Sequence, residues 1–142
     1  MTRFVLDASF AISWVVESER IPEGFRLYEA MKQEKVEAVV PALWPDEVAN
    51  VLMNLERNGR LTAVQILMWC ETFASLPIEV KLPSISESLN EIRRLGQSEG
   101  LTAYDARYLH LAMQENLPLA TRDKQLLAAA SKAGVKLVNA RT

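Results

Sequence analysis

One cysteine, Cys70, and one histidine, His110, occur among the 142 residues. A single thiol excludes an intrachain disulfide, and a cytoplasmic, reducing compartment is the expectation. Only five glycines and six prolines are present, too few for a fibrous or disordered chain, and no Ser/Gly-rich linker interrupts the sequence. No apolar run approaches the ~18 residues of a membrane span. The segment from Met1 to Asp7 carries Arg3 and Asp7 where a signal peptide would need an uncharged stretch. Charge of one sign is also missing: 16 Lys and Arg against 18 Asp and Glu leave a formal charge of −2. The chain therefore lacks the basic footprint of a DNA-binding module, and any nucleic-acid contact must be local.

What remains, 49% hydrophobic and 24% charged residues, is ordinary globular composition. A fold of this length withdraws about 70% of the unfolded surface from water and needs no metal merely to stand. One domain, 1–142, is expected.

Short apolar runs alternate with helical patterns. Phe4 to Leu6 reads as a strand, followed by a helix carrying Phe10, Ala11, Trp14 and Val15. A second helix starts at Pro22, and Val36 to Val40 forms a strand stopped by Pro41. Helices from Trp44 to Asn58 and from Thr62 to Ser75 form a hairpin, with Thr62 as N-cap. Ile78 to Leu82 is an edge-strand candidate, and Ser84 or Ser86 caps a helix whose core stripe is Leu89, Ile92 and Leu95. A helix from Thr102 to Asn116, a strand from Pro118 to Thr121, a helix from Asp123 to Ala133 and an apolar stretch from Val135 to Val138 complete the alternation. The expected class is α/β, a mostly parallel sheet of four to five short strands covered on both faces, with chemistry at the carboxyl ends of its strands.

Four acids stand out on that frame. Asp7 and Asp123 each follow a strand and precede a helix, so both project at the carboxyl edge of the sheet, although Asp is also a common N-cap. Asp105 falls within the apolar arc of its helix, among Leu101, Tyr104, Tyr108, Leu109, Leu111 and Ala112. A carboxylate there is costly unless it is paired or holds a metal. Glu47 lies at the edge of the arc of Trp44, Val48, Val51 and Leu55, while Asp46 points away. Like charges ~4 Å apart repel by roughly 4 kcal/mol at an effective dielectric of 20, and a divalent cation relieves that repulsion. An oxygen-only set favours Mg²⁺ or Mn²⁺ over zinc, which points to phosphoryl chemistry.

The four segments are Val-Leu-Asp-Ala-Ser around Asp7, Pro-Asp-Glu-Val-Ala-Asn-Val-Leu around Glu47, Leu-Thr-Ala-Tyr-Asp-Ala-Arg-Tyr-Leu-His-Leu-Ala around Asp105, and Leu-Pro-Leu-Ala-Thr-Arg-Asp-Lys-Gln-Leu around Asp123. In this order they resemble the PIN-domain nucleases, and most closely the VapC-type toxins of bacterial toxin-antitoxin pairs. The resemblance implies a three-layer α/β/α sandwich and a Mg²⁺-dependent endoribonuclease. It also implies a homodimer, inhibition by a co-produced antitoxin, and contact with DNA only through that antitoxin. Carried over to this sequence, Asp7, Glu47, Asp105 and Asp123 would be the catalytic and metal-binding acids, with Ser9, Asn50 and Thr121 as polar, substrate-binding neighbours.

Two other functional classes fit the acids alone: an aspartyl-phosphate phosphatase or receiver-like domain, and a non-catalytic interaction module in which the acids merely cap helices. His110 lies roughly 140° around its helix from Asp105 and is expected at the surface. Cys70 is expected in the core. Arg122 and Lys124 flank Asp123 within reach of a substrate phosphate. Val64, Leu67 and Met68 form a second apolar face on a helix whose core stripe is Ile66, Trp69, Phe73 and Leu76, and a partner surface is one reading of it.

Overall fold

The computed structural model describes residues 2–138. Its centre is a four-stranded parallel sheet in the order β3-β2-β1-β4, with β1 at Thr2–Leu6, β2 at Val36–Pro41, β3 at Ile78–Lys81 and β4 at Leu119–Ala120. Strand β1 pairs with β2 from Thr2 opposite Val36 to Val5 opposite Val39, and with β4 through Val5 and Leu6. The central strands carry no charge in their second halves because both faces are covered, and Val5, Leu6, Val39 and Val40 are completely buried. Beyond β4, the apolar stretch from Val135 to Val138 meets the sheet in a parallel bridge between Leu137 and Leu119.

Helices α1 (Ala8–Val15), α2 (Pro22–Lys32), α3 (Trp44–Arg57) and α4 (Ala63–Ser75) pack as one layer, and α5 (Arg93–Glu99), α6 (Ala103–Glu115) and α7 (Lys124–Lys132) as the other. This is a three-layer α/β/α sandwich. The first layer closes around aromatic rings: Trp14 contacts Phe10, Tyr28 and Phe73, and Phe73 also contacts Trp44 and Trp69. The Trp14 indole donates to the Gly24 carbonyl at 3.0 Å, which satisfies the polar atom of this buried ring. Thr62 starts α4 with a reciprocal cap, its hydroxyl accepting from the Gln65 amide and the Gln65 carboxamide accepting from the Thr62 amide.

Ser84, rather than Ser86, caps the next helix: its hydroxyl accepts the Glu87 amide and its own amide donates to Glu87. That helix opens in a π-helical stretch, Glu87–Ile92, before α5. The wider turn rotates Leu89 off the face that buries Ile92, so Leu89 is 61% exposed and only Ile92 and Leu95 of the expected stripe meet the core. Cys70 is exposed, not core. Trp69 and Phe73 turn α4 inward, and Cys70 falls on the rim of the groove that Trp44, Leu52 and Phe73 also line. Tyr104, expected on the buried arc of α6, is likewise exposed, in the helix's first turn.

Candidate active site

Asp7 stands at the end of β1, where the chain leaves the sheet and enters α1. Its own amide donates to the Ala120 carbonyl of the neighbouring strand at 2.9 Å, so the sheet fixes its backbone. Its carboxylate is buried and accepts two hydroxyl donors on Oδ2, Ser9 Oγ at 2.6 Å and Thr121 Oγ1 at 2.7 Å. No side-chain cap bond runs from Asp7 to α1, so helix capping does not account for this residue. Burial holds its pKa above the ordinary carboxylate range, an effect the Ser9 and Thr121 donors oppose and the Asp123 charge reinforces.

Asp123 occupies the equivalent place after β4. Here the capping reading holds in part, since Oδ1 accepts the Leu126 amide at 2.9 Å, while the Asp123 amide donates to Thr121 Oγ1 at 3.1 Å. Ser9 Oγ accepts the Arg122 amide at 3.0 Å, which ties the loop after β4 to the start of α1. The two strand ends thus form one hydrogen-bonded rim.

Glu47 and Asp105 reach this rim from the first turns of α3 and α6. Asp105 is half-buried rather than core-facing. Its amide donates to the Thr102 hydroxyl at 3.1 Å, which caps the first turn of α6. Burial raises its pKa, with the charges of Asp123 and Asp7 adding to the rise. Glu47 is half-buried too, and its pKa is raised by burial and by the charges of Asp7 and Asp105, against the opposing hydrogen bond from Tyr108. The structure therefore brings Asp7, Glu47, Asp105 and Asp123 within electrostatic reach of one another. Among the described residues, none of the four makes an ion pair with Lys or Arg.

Ser9 and Thr121 join the acids through hydrogen bonds, whereas Asn50 is exposed one turn along α3 from Glu47. The Arg122 guanidinium leans away and donates to the Glu19 carbonyl at 3.3 Å, and Lys124 is exposed beside it. His110 pairs with Glu91 at 3.6 Å, apart from the acids. Glu87, Glu91 and His110 have ligand atoms within 4.8 Å of one another, on the π-helical stretch and α6, and none of the four acids is among them.

The sequence pattern places Tyr108 only within an apolar arc. Its hydroxyl donates to Glu47 Oε1, and burial, followed by the Glu47 contact, keeps the phenol protonated far beyond the ordinary range. The available signal was chemical: a tyrosine on a buried helix face needs a partner for its hydroxyl.

The family model described as PIN domain matches residues 4–132. The chain belongs to the PIN domain family. Among solved structures, this PIN domain is similar to PAE2754 from Pyrobaculum aerophilum, at 25% identity and a TM-score of 0.68, over 96% of this chain and 84% of that one. It is also similar in fold to FitAcB from Neisseria gonorrhoeae, at 19% identity and a TM-score of 0.63, over 96% of both chains. No curated protein matches the sequence. The nuclease character of the family agrees with acids gathered at the strand ends. Among the described residues, no helix of this PIN domain is long and apolar enough to cross a membrane.

Proposed function

We propose that this PIN domain is a Mg²⁺- or Mn²⁺-dependent endoribonuclease, the VapC-type toxin of a toxin-antitoxin pair, acting in the cytoplasm through Asp7, Glu47, Asp105 and Asp123. The observation that carries the reading is the convergence of four carboxylates that, among the described residues, make no ion pair with Lys or Arg. Such a donor set, all oxygen and mutually repelling, fits a hard divalent ion.

When bound, the ion supplies charge neutralisation at a phosphodiester and a more acidic water. The chain's own residues do the rest. Asp7, held by two hydroxyls, offers a fixed ligand on the sheet axis, and Asp105 and Glu47 approach from the two helical layers. Asp123 closes the rim with one oxygen engaged by its helix. Water attacks phosphorus in line and gives up a proton to solvent, the P–O3′ bond breaks, and the 3′-oxygen takes up a proton from solvent and departs as a hydroxyl, leaving the phosphate on the 5′ fragment. Ser9 and Thr121 are the polar neighbours nearest that centre, with Asn50 on its α3 side. A homodimer and a co-produced antitoxin that silences the open site belong to the same reading.

Membership of the PIN family leaves the receiver-like alternative without support, and one experiment separates the nuclease from an interaction module. A fluorogenic RNA is incubated with wild type and Asp105→Asn across a Mg²⁺ titration. Wild type should cleave only with the ion, and Asp105→Asn should lose about a hundredfold or more in rate. Cleavage that survives both EDTA and the substitution would overturn the proposal.

A further inference from the structure

Glu47 is held differently from the other three acids. Asp7 and Asp123 have short side chains on residues whose backbones are fixed at strand ends, and Asp105 stands in a first turn whose cap holds its own amide. Glu47 reaches the site on a longer, more rotatable side chain from the exposed end of α3, beside exposed Asp46 and Ala49. The hydrogen bond that fixes its carboxylate comes from Tyr108, one turn after Asp105 on α6. Tyr108 is completely buried, so its phenol cannot swing to another partner. Helix α6 thus supplies one acid of the site and grips a second that belongs to the opposite layer.

We infer that Tyr108 is a positioning residue that fixes the Glu47 carboxylate as a ligand, engaging Oε1 and leaving Oε2 for the ion; this rests on the metal-dependent reading above. The competing account reverses the dependence: a buried phenol needs an acceptor, and Glu47 merely provides one. The two accounts differ in what happens when the hydroxyl is removed. If Glu47 only satisfies the phenol, Tyr108→Phe removes the need and leaves the ion site intact. If the phenol holds Glu47, Tyr108→Phe frees the carboxylate to rotate into water.

The test is Mn²⁺ binding by calorimetry on the full chain, for wild type, Glu47→Ala, Tyr108→Phe, the double variant, and Tyr104→Phe as an exposed control on the same helix. Loss of an outer partner of a metal ligand typically weakens binding 10–100-fold, so Tyr108→Phe should bind about tenfold more weakly, with Tyr104→Phe unchanged. In the Glu47→Ala background, Tyr108→Phe should add less than about twofold, because its effect passes through Glu47. Wild-type affinity in Tyr108→Phe beside a loss in Glu47→Ala overturns the positioning role, and so does an equal loss on both backgrounds. Unchanged affinity in Glu47→Ala itself would instead remove Glu47 from the metal reading. Should Tyr108→Phe not fold, Glu47→Asp shortens the acid out of the phenol's reach, and wild-type affinity in that variant overturns the inference equally.

Discussion

Thr121 Oγ1 donates to Asp7 Oδ2 at 2.7 Å and accepts the Asp123 amide at 3.1 Å, so a single buried hydroxyl joins the acids at the ends of two adjacent strands. Its one proton is committed to Asp7. Replacing it with a shape-matched methyl, Thr121→Val, leaves Asp7 with the Ser9 hydroxyl and the Ala8 amide, and the Asp123 amide without its Thr121 acceptor. The buried carboxylate's pKa should then rise further, since one of the three donors opposing burial, beside Ser9 and the Ala8 amide, is gone. Stability should fall by about 1–3 kcal/mol, the usual cost of a buried group left unsatisfied, as read from a urea transition. Mn²⁺ affinity should fall with it. Full stability and full affinity in Thr121→Val would show that the hydroxyl links nothing.

Crowded acids predict an inverted pH dependence. Asp7, Glu47 and Asp105 each have a folded-state pKa above the ordinary value. The folded protein therefore binds more protons than the unfolded chain between the ordinary and the raised pKa. Stability from these groups is present below the unfolded pKa, near 4, and is lost as pH rises through the raised values. In EDTA, the melting temperature should climb as pH is lowered from 7 towards the ordinary carboxylate range, and Mn²⁺ at pH 7 should restore it. Asp105→Asn should raise the metal-free melting temperature by a few degrees and flatten the pH dependence. A variant melting well below wild type in EDTA would mean that Asp105 is stabilised by contacts outweighing the repulsion.

The alternation of elements, the parallel sheet and the meeting of acids at its carboxyl edge were all legible in the sequence, because strand ends and first helical turns are local features. What was not legible depended on packing between elements. Periodicity puts Asp105 on the buried arc, yet it stands half-exposed in the first turn of α6, where Tyr104 before it is exposed as well. Leu89 left the core through a π-turn that a 3.6-residue repeat does not anticipate. Cys70 lay in an apolar helix, and only the tertiary contacts of Trp69 and Phe73 decide that its side faces out. Tyr108 was recognisable as buried, but its partner lies 61 residues away on another layer.

His110 gives a negative control on the same helix as Asp105. Its Nε2 faces Glu91 at 3.6 Å and it lines a cavity with Lys81, Arg107 and Gln114. No proton transfer in the proposed reaction uses it. His110→Ala should leave RNA cleavage within about threefold of wild type. A loss beyond about a hundredfold, with circular dichroism unchanged, would place the imidazole in the chemistry after all.

Helix α4 should respond to substitution in two opposite ways on its two faces. Phe73 is buried and its ring lies 5.8 Å from Trp44, 5.6 Å from Trp69 and 6.4 Å from Trp14, so it joins α4 to α1 and α3. Truncating it empties the centre of the aromatic cluster, and Phe73→Ala should cost about 3 kcal/mol or more of stability. Leu67 and Met68 are each 61% exposed on the other face, beside Val64 at 67%. A charge there meets water in the isolated chain, so Leu67→Glu and Met68→Glu should change stability by no more than about 0.5 kcal/mol in a urea titration. If a second copy of the chain covers this face in solution, the same charges are buried without a partner, and both variants should lower the assembly state on size exclusion while the fold persists. Unfolding of Leu67→Glu to the extent of Phe73→Ala would contradict the exposure of this face altogether.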